Sequence, residues 1–167
     1  MTLEEALKTA IDYETRIRDV YKEAAEKVSD FAGKRMLQAL GDDEQRHVEY
    51  LMDRLKKWRE TGKLSVEKLE TAIPSNEIIA REVAKLKTGM SKRDLGDEKQ
   101  MLSKALKLEI ETSNFYKTMV EEMSDAAKEM FSRFLEIEQS HIGAVQAELD
   151  YVSKTGYWFD FKEFDME

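Results

Sequence analysis

Apolar residues recur in steps of three and four along four long stretches of this chain, a spacing that commits each stretch to an amphipathic helix buried along one face. The first runs roughly from Leu3 to Val28, with Leu3, Leu7, Ala10, Glu14, Ile17, Tyr21, Ala24 and Val28 on its stripe. The second, from about Phe31 to Glu60, carries Leu37, Leu40, Glu44, His47, Leu51, Leu55 and Trp58. The third starts near Gln100 and carries Leu102, Ala105, Glu109, Thr112, Tyr116, Met119 and Met123. The fourth, from about Ala126 to Val152, carries Phe131, Phe134, Glu138, His141, Val145, Leu149 and Val152. Each stripe is interrupted at its middle by a carboxylate, and two of them by a histidine as well.

Short turns at Ser29-Asp30 and Ser124-Asp125, both rich in capping residues, predict two antiparallel hairpins, over residues 1–60 and 98–153. Between them, residues 61–97 hold Gly62, Pro74, Gly89 and Gly96, with helical spacing at Ile78, Ile79, Val83 and Leu86, so this segment reads as a crossover with one or two short helices. The expected fold is all-α: a four-helix bundle of two antiparallel hairpins joined by a long, partly helical crossover, the ferritin-like connection. The hairpins repeat one another. At an offset of 95, Ala10, Glu14, Tyr21, Lys22, Glu26, Ser29 and Asp30 match Ala105, Glu109, Tyr116, Lys117, Glu121, Ser124 and Asp125. After a one-residue deletion the offset is 94, and Lys34, Met36, Glu44, Gln45 and His47 match Lys128, Met130, Glu138, Gln139 and His141.

The duplicated polar residues point to metal chemistry. Glu44 with His47, and Glu138 with His141, are three apart and share a helix face. Glu14 and Glu109 come from the other two helices, so the chain supplies four carboxylates and two imidazoles, a ligand set for two ions of iron, manganese or zinc type. Glutamate is common here, at 23 of 167 residues, and one Glu-x-x-His would carry little weight. Both histidines have such a partner, however, and all six residues lie on apolar stripes, where an unpaired carboxylate is costly. Glu44 and Glu138 are the expected bridging residues. Tyr21 and Tyr116, two turns beyond Glu14 and Glu109, are candidates for hydrogen bonding to ligand carboxylates or for passing an electron, with ordinary core tyrosine as the alternative. Asp43 is a candidate to orient His141 from the opposite helix; the repeat has Ile137 there. The methionines Met36, Met101, Met119, Met123 and Met130 read as core filling, and Lys85-Leu86-Lys87 as solvated surface.

A net charge of -8, with no basic stripe, argues against nucleic acid or an anionic membrane as partner. The absence of cysteine excludes disulfides, Fe–S clusters, thiolate zinc sites and a rubredoxin-type iron within these residues. There is no apolar run of membrane-spanning length and no signal-peptide pattern at Met1-Thr2-Leu3-Glu4-Glu5, so the expected location is the cytoplasm. The tail, residues 154–167, is dense in aromatics (Tyr157, Trp158, Phe159, Phe161, Phe164) and is expected to fold back over the bundle, with a contact across a homodimer as the alternative.

In these residues the chain resembles the rubrerythrin branch of the ferritin-like superfamily, over both hairpins, and the segment Asp43-Glu44-Gln45-Arg46-His47 is also similar to the helix motif of bacterial multicomponent monooxygenases. The resemblance implies two irons, with manganese as the alternative metal, held by Glu14, Glu44, His47, Glu109, Glu138 and His141. It also implies reaction with peroxide or dioxygen, and electrons from an external donor such as a rubredoxin-like protein or a reductase. Two departures stand out. Thr112 occupies the place where peroxidase members carry a further glutamate, and no cysteine-bound iron domain is present, which brings the ligand set closer to bacterioferritin and simple oxidase-like members. The competing expectations are a ferroxidase that handles iron for storage and a non-catalytic bundle that metal only stabilises.

Overall fold

The computed structural model describes residues 1–86, 95–161 and 164. Among them are five helices: α1 (Leu3–Lys27), α2 (Phe31–Thr61), α3 (Asn76–Ala84), α4 (Gly96–Glu122) and α5 (Asp125–Thr155). α1 lies against α2 and α4, and α5 against α4 and α3. None of these helices is long and apolar enough to cross a membrane. α2 and α5 extend slightly further than their apolar stripes suggest, and α4 starts at Gly96, a turn earlier. Gly89 and Lys87 of the expected crossover, and tail residues 162–163 and 165–167, lie outside the described residues.

Local sequence sets where the helices begin. Thr2 and Glu5 form a reciprocal capping box on α1, Asp30 accepts from the Gly33 N–H at 3.0 Å at the start of α2, and Ser75 accepts from Ile78 N–H at 3.3 Å at the start of α3. The second hairpin differs. Ser124 occupies the cap position of α5 without bonding to its backbone, and Asp125 is the first helical residue, at φ 54°. Asp30 therefore corresponds to Ser124 rather than to Asp125, and the one-residue deletion falls inside the turn. The shorter turn is closed by an aspartate in the left-handed region, one of the few side chains that tolerates it.

The apolar core falls into two clusters, and each long helix contributes to both. Along α1, Leu7 and Ala10 belong to one cluster and Ile17 and Tyr21 to the other; along α5, Phe131 and Phe134 precede Ala144 and Val145 in the same order. α2 and α4 run the opposite way, from Leu37 and Leu40 to Leu51, and from Leu102 and Ala105 to Tyr116. α1 and α5 are thus parallel to each other and antiparallel to α2 and α4. α2 ends at the Phe131 end of the bundle while α4 starts at the other, so the connection has to travel the length of the bundle.

Residues 63–75 make that journey without helix, held by side chains of the bundle. Arg54, buried in α2, donates to Ser65 O (2.7 Å) and Oγ (2.9 Å); the Tyr50 hydroxyl donates to Glu67 O (2.8 Å); Arg133 Nε donates to Leu69 O (3.0 Å). Thr71 Oγ1 and Ala72 N–H donate to the two oxygens of Asp43, at 2.7 and 3.0 Å. Leu69 belongs to the first apolar cluster and Ile73 to the second, so this strap passes between them at Thr71. α3 then docks on α5, where Gly143 leaves no room for a side chain: a Cβ there would lie 1.8 Å from Asn76 Oδ1. The tail packs on the bundle at the α3 end. Trp158, Phe159, Phe161 and Phe164 are buried in the second cluster while Tyr157 stays exposed. The Trp158 ring rests on Gly33, where a Cβ would meet ring carbons at 2.6–2.9 Å.

Candidate metal centre

At the junction of the two apolar clusters every long helix presents charge. Glu14, Glu44, His47, Glu109, Glu138 and His141 all have no solvent exposure. They form two groups of four whose ligand atoms lie within 4.8 Å of one another: Glu14, Glu44, His47 and Glu138, and Glu44, Glu109, Glu138 and His141. Glu44 and Glu138 belong to both groups; Glu14 and Glu109 each belong to one. All six residues singled out in the sequence come together, because each sits at the middle of its stripe.

The geometry is two-fold. His47 Nδ1 lies 3.5 Å from Glu14 Oε2, 3.3 Å from Glu44 Oε2 and 3.6 Å from Glu138 Oε1. His141 Nδ1 lies 2.6 Å from Glu44 Oε1, 3.4 Å from Glu109 Oε1 and 4.0 Å from Glu138 Oε2. The two imidazoles are nearly parallel, with centroids 5.5 Å apart. Tyr21 donates to Glu109 Oε1 and Tyr116 to Glu14 Oε1, both at 2.7 Å, so each tyrosine serves the carboxylate of the other hairpin. Those bonds hold one oxygen of each terminal carboxylate and leave the other turned inward.

Apart from His141 Nδ1 and Glu44 Oε1, which pair at 2.6 Å, most oxygens and nitrogens of the centre make no hydrogen bond within the protein. Ten buried side-chain polar atoms among the described residues make no hydrogen bond, and seven are here: Glu14 Oε2, Glu44 Oε2, Glu109 Oε2, both oxygens of Glu138 and both nitrogens of His47. Buried polar atoms are nearly always satisfied, so this concentration fits groups arranged for a ligand. Ligand atoms bound tetrahedrally at roughly 2.1 Å from one ion lie about 3.4 Å apart, close to the His47 separations. The donor set of carboxylates and imidazoles suits iron, manganese or zinc.

The electrostatics divide the carboxylates into two pairs. Burial works to raise Glu14, but contacts with Glu44, His47 and Glu138 outweigh it and hold Glu14 at about 2. Glu109 is likewise held below its ordinary value, burial being outweighed by Glu138, His141 and Tyr21. The shared residues go the other way: burial, reinforced by the charges of Glu14 and Glu109, pushes Glu44 and Glu138 well up. Burial opposes charge on the histidines, yet Glu14 and Glu44 raise His47 to about 10, and Glu44, Glu109 and Asp43 raise His141 well above its ordinary value. Glu14 and Glu109 are thus drawn towards the ionised form and both imidazoles towards the protonated form, while Glu44 and Glu138 are pushed towards protonation.

Asp43 breaks the two-fold symmetry. Its Oδ2 lies 2.7 Å from His141 Nε2 and 3.6 Å from His47 Nε2, and Arg46 donates to its Oδ1 at 2.6 Å. Burial opposes its ionisation, but the two histidines and the Ala72 N–H keep it far below the usual carboxylate range. Asp43 thus fixes His141 with Nδ1 inward and ties the strap to the centre. At the equivalent position, buried Ile137 makes no such bond. Thr112, the other departure noted in the sequence, is buried and returns its hydroxyl to Leu108 O at 2.8 Å, so it donates within its own helix.

Glu148 was not anticipated. It is fully buried, accepts from Phe159 N–H at 2.8 Å, and is pushed well up by burial. It stands seven residues after His141, two turns along the same face, a spacing that singles it out over its half-buried neighbour Leu149.

No protein-family model matches this chain, and neither a curated protein nor a solved structure matches it at a significant level. What the fold and the site define together is an all-α bundle with buried acidic and histidine groups that could hold metal.

Proposed function

We propose that this chain is a ferritin-like, rubrerythrin-type carboxylate protein that holds two iron ions, with manganese as the alternative, and reacts with hydrogen peroxide or dioxygen using electrons from an external donor. The observation that carries this reading is the pair of overlapping four-residue groups sharing Glu44 and Glu138, with seven of their buried polar atoms making no hydrogen bond. Glu14 and His47 would complete one ion's ligands, Glu109 and His141 the other's. Two divalent cations would balance the four carboxylates, which suits a centre surrounded by apolar residues, and would displace protons from groups pushed towards their protonated forms. When bound, a redox-active metal pair supplies two electrons together and positions for an oxidant.

The chain's own residues prepare that chemistry. Tyr21 and Tyr116 anchor the outer oxygens of Glu109 and Glu14. Asp43 accepts the outward N–H of His141 and so sets which nitrogen faces inward. The two apolar clusters above and below exclude water.

Metal analysis of protein purified without chelator, followed by rapid mixing of the reduced, iron-loaded form with peroxide or with dioxygen, tests the proposal. About two ions per chain and a new absorption band on mixing are expected. Two ions with no response to either oxidant would leave a bundle that metal only stabilises; unchanged metal content in Glu44→Ala would overturn the assignment of the site.

A further inference from the structure

A pocket of about 310 Å³ lies beneath the strap, between α2 and α5. Its roof is Val66, Glu67, Lys68 and Leu69, and its floor is Tyr50, Met130 and Phe134. Phe134, itself fully buried, forms the inner wall, and its ring meets the His47 imidazole edge-on at a centroid distance of 5.4 Å. A single aromatic ring thus stands between this pocket and a residue of the metal centre. We infer that the pocket is the access route for the small neutral oxidant and that Phe134 is its gate, a reading that rests on the function proposed above.

Three observations single out this route. The inner surface is apolar, formed by Leu69, Met130, Phe134 and the Tyr50 ring, while charge is confined to the rim at Glu67, Lys68, Glu129 and Arg133. Such a lining admits a small neutral molecule and disfavours a hydrated ion. A second pocket of about 290 Å³, across Arg133, approaches the centre at Thr71. There the path is closed by Asp43, which contacts Arg46, Thr71, Ala72 and His141, so opening it would break all four interactions. Turning the Phe134 ring breaks no hydrogen bond.

The lining differs on the pseudo-symmetric side, among the described residues. Leu40 stands where Phe134 would, and Ala144 where Tyr50 would. Both lie in the apolar cluster covered by Ile79 of α3 and by the tail aromatics. The route therefore runs on the His47 side, where neither ring nitrogen of that histidine makes a hydrogen bond. Phe134 acts here as a gating residue; it touches a ligand side chain and holds no metal.

Xenon, which occupies dry apolar cavities, is the first probe, and it needs no metal. In crystals under xenon pressure, a site is expected between Leu69, Met130 and Phe134 in the wild type, extending to His47 in Phe134→Ala. Xenon absent from the wild-type pocket would overturn the inference. The second probe is the rate at which nitric oxide binds the ferrous-loaded protein. Phe134→Ala should bind it faster and Met130→Trp, which fills the pocket, slower, each on the order of tenfold. Equal rates at equal iron content in the three proteins would refute the gate. A wild type that takes up no iron would instead refute the metal reading, and the xenon result would then decide the route by itself.

Discussion

Replacing Glu138 by leucine should make the protein more stable without metal and less stable with it. Glu138 is fully buried, neither of its oxygens makes a hydrogen bond within ordinary geometry, and burial with the charges of Glu109 and Glu14 pushes it towards protonation. Its removal keeps Glu14 and Glu109 opposite His47 and His141 and costs only the contact each makes with Glu138. Leaving a buried polar group unsatisfied costs about 1–3 kcal/mol, and leucine, of similar length and apolar, relieves that. In a domain of this size 1 kcal/mol moves Tm by roughly 2–4 °C, so a gain of about 2 kcal/mol corresponds to a rise of roughly 4–8 °C in chelator. The wild type should gain about 2.7 kcal/mol for each ion supplied at a hundred times its Kd. Leucine removes a ligand from both four-residue groups, so the variant should gain little. Thermal melts of both proteins in chelator and in excess ferrous or manganous ion, made anaerobically, give four Tm values whose order must cross. A variant that melts lower in chelator and keeps the full metal-dependent rise would refute the argument, because Glu138 would then be a structural residue already satisfied by the fold.

Metal uptake should strengthen with pH and release protons. His47, held at about 10, together with His141, Glu44 and Glu138, all raised, must lose protons on binding, so calorimetry in buffers of different ionisation enthalpy should report up to four protons per ion pair. Metal-free stability should follow the opposite sign for His47. A histidine raised from 6.5 to about 10 contributes fully below about pH 6.5, and that contribution is lost as pH climbs towards 10; Glu14, lowered from 4.5 to about 2, contributes above about pH 4.5 and loses it as pH falls towards 2. Urea titrations between those limits check both arms. Tyr21→Phe and Tyr116→Phe should each weaken metal binding about 10–100-fold, as removal of an outer partner of a ligand does, and by similar amounts, because their bonds to Glu109 and Glu14 are equal at 2.7 Å; competition with a chromogenic chelator measures this. Gly33→Ala forces a methyl group into the Trp158 ring, so the tail should shift, Trp158 emission should move to the red, and stability should fall by about 1–3 kcal/mol; unchanged emission would show that the tail yields without cost.

The helices and the six central residues were legible because both depend on periodicity. A helix buries what recurs every three to four residues, and Glu14, Glu44, His47, Glu109, Glu138 and His141 recur in step with Leu7, Leu40, Leu51, Leu102 and Phe134. The strap was not legible, because its position comes from side chains elsewhere. Arg54, Tyr50, Arg133 and Asp43 each hold one of its groups across a gap of eleven or more positions. Nothing local to residues 63–75 records those partners. The role of Gly33 is equally non-local: a glycine in a helix is a weak point until Trp158, far along the chain, is seated on it. The Asp125 turn shows how far an alignment of repeats carries. Matching Ser29-Asp30 to Ser124-Asp125 identified the turn and missed that the deletion lies within it.

The duplication explains why the centre exists, and its imperfections show that the two halves are not equivalent. Two similar hairpins packed about a two-fold axis place equal ligands at the midline almost automatically, since Glu14 meets Tyr116 and Glu109 meets Tyr21 by the same contact. Symmetry alone would make the two four-residue groups chemically identical. Around that shared set, however, Asp43 corresponds to Ile137, Phe134 to Leu40 and Tyr50 to Ala144. The first exchange fixes His141 through a buried aspartate and leaves both nitrogens of His47 without a hydrogen bond. The other two place the Phe134 pocket beside His47, and the smaller side chains Leu40 and Ala144 in the apolar cluster on the other side. One half thus holds its histidine rigidly while the other opens towards solvent, an asymmetry carried entirely by residues that hold no metal.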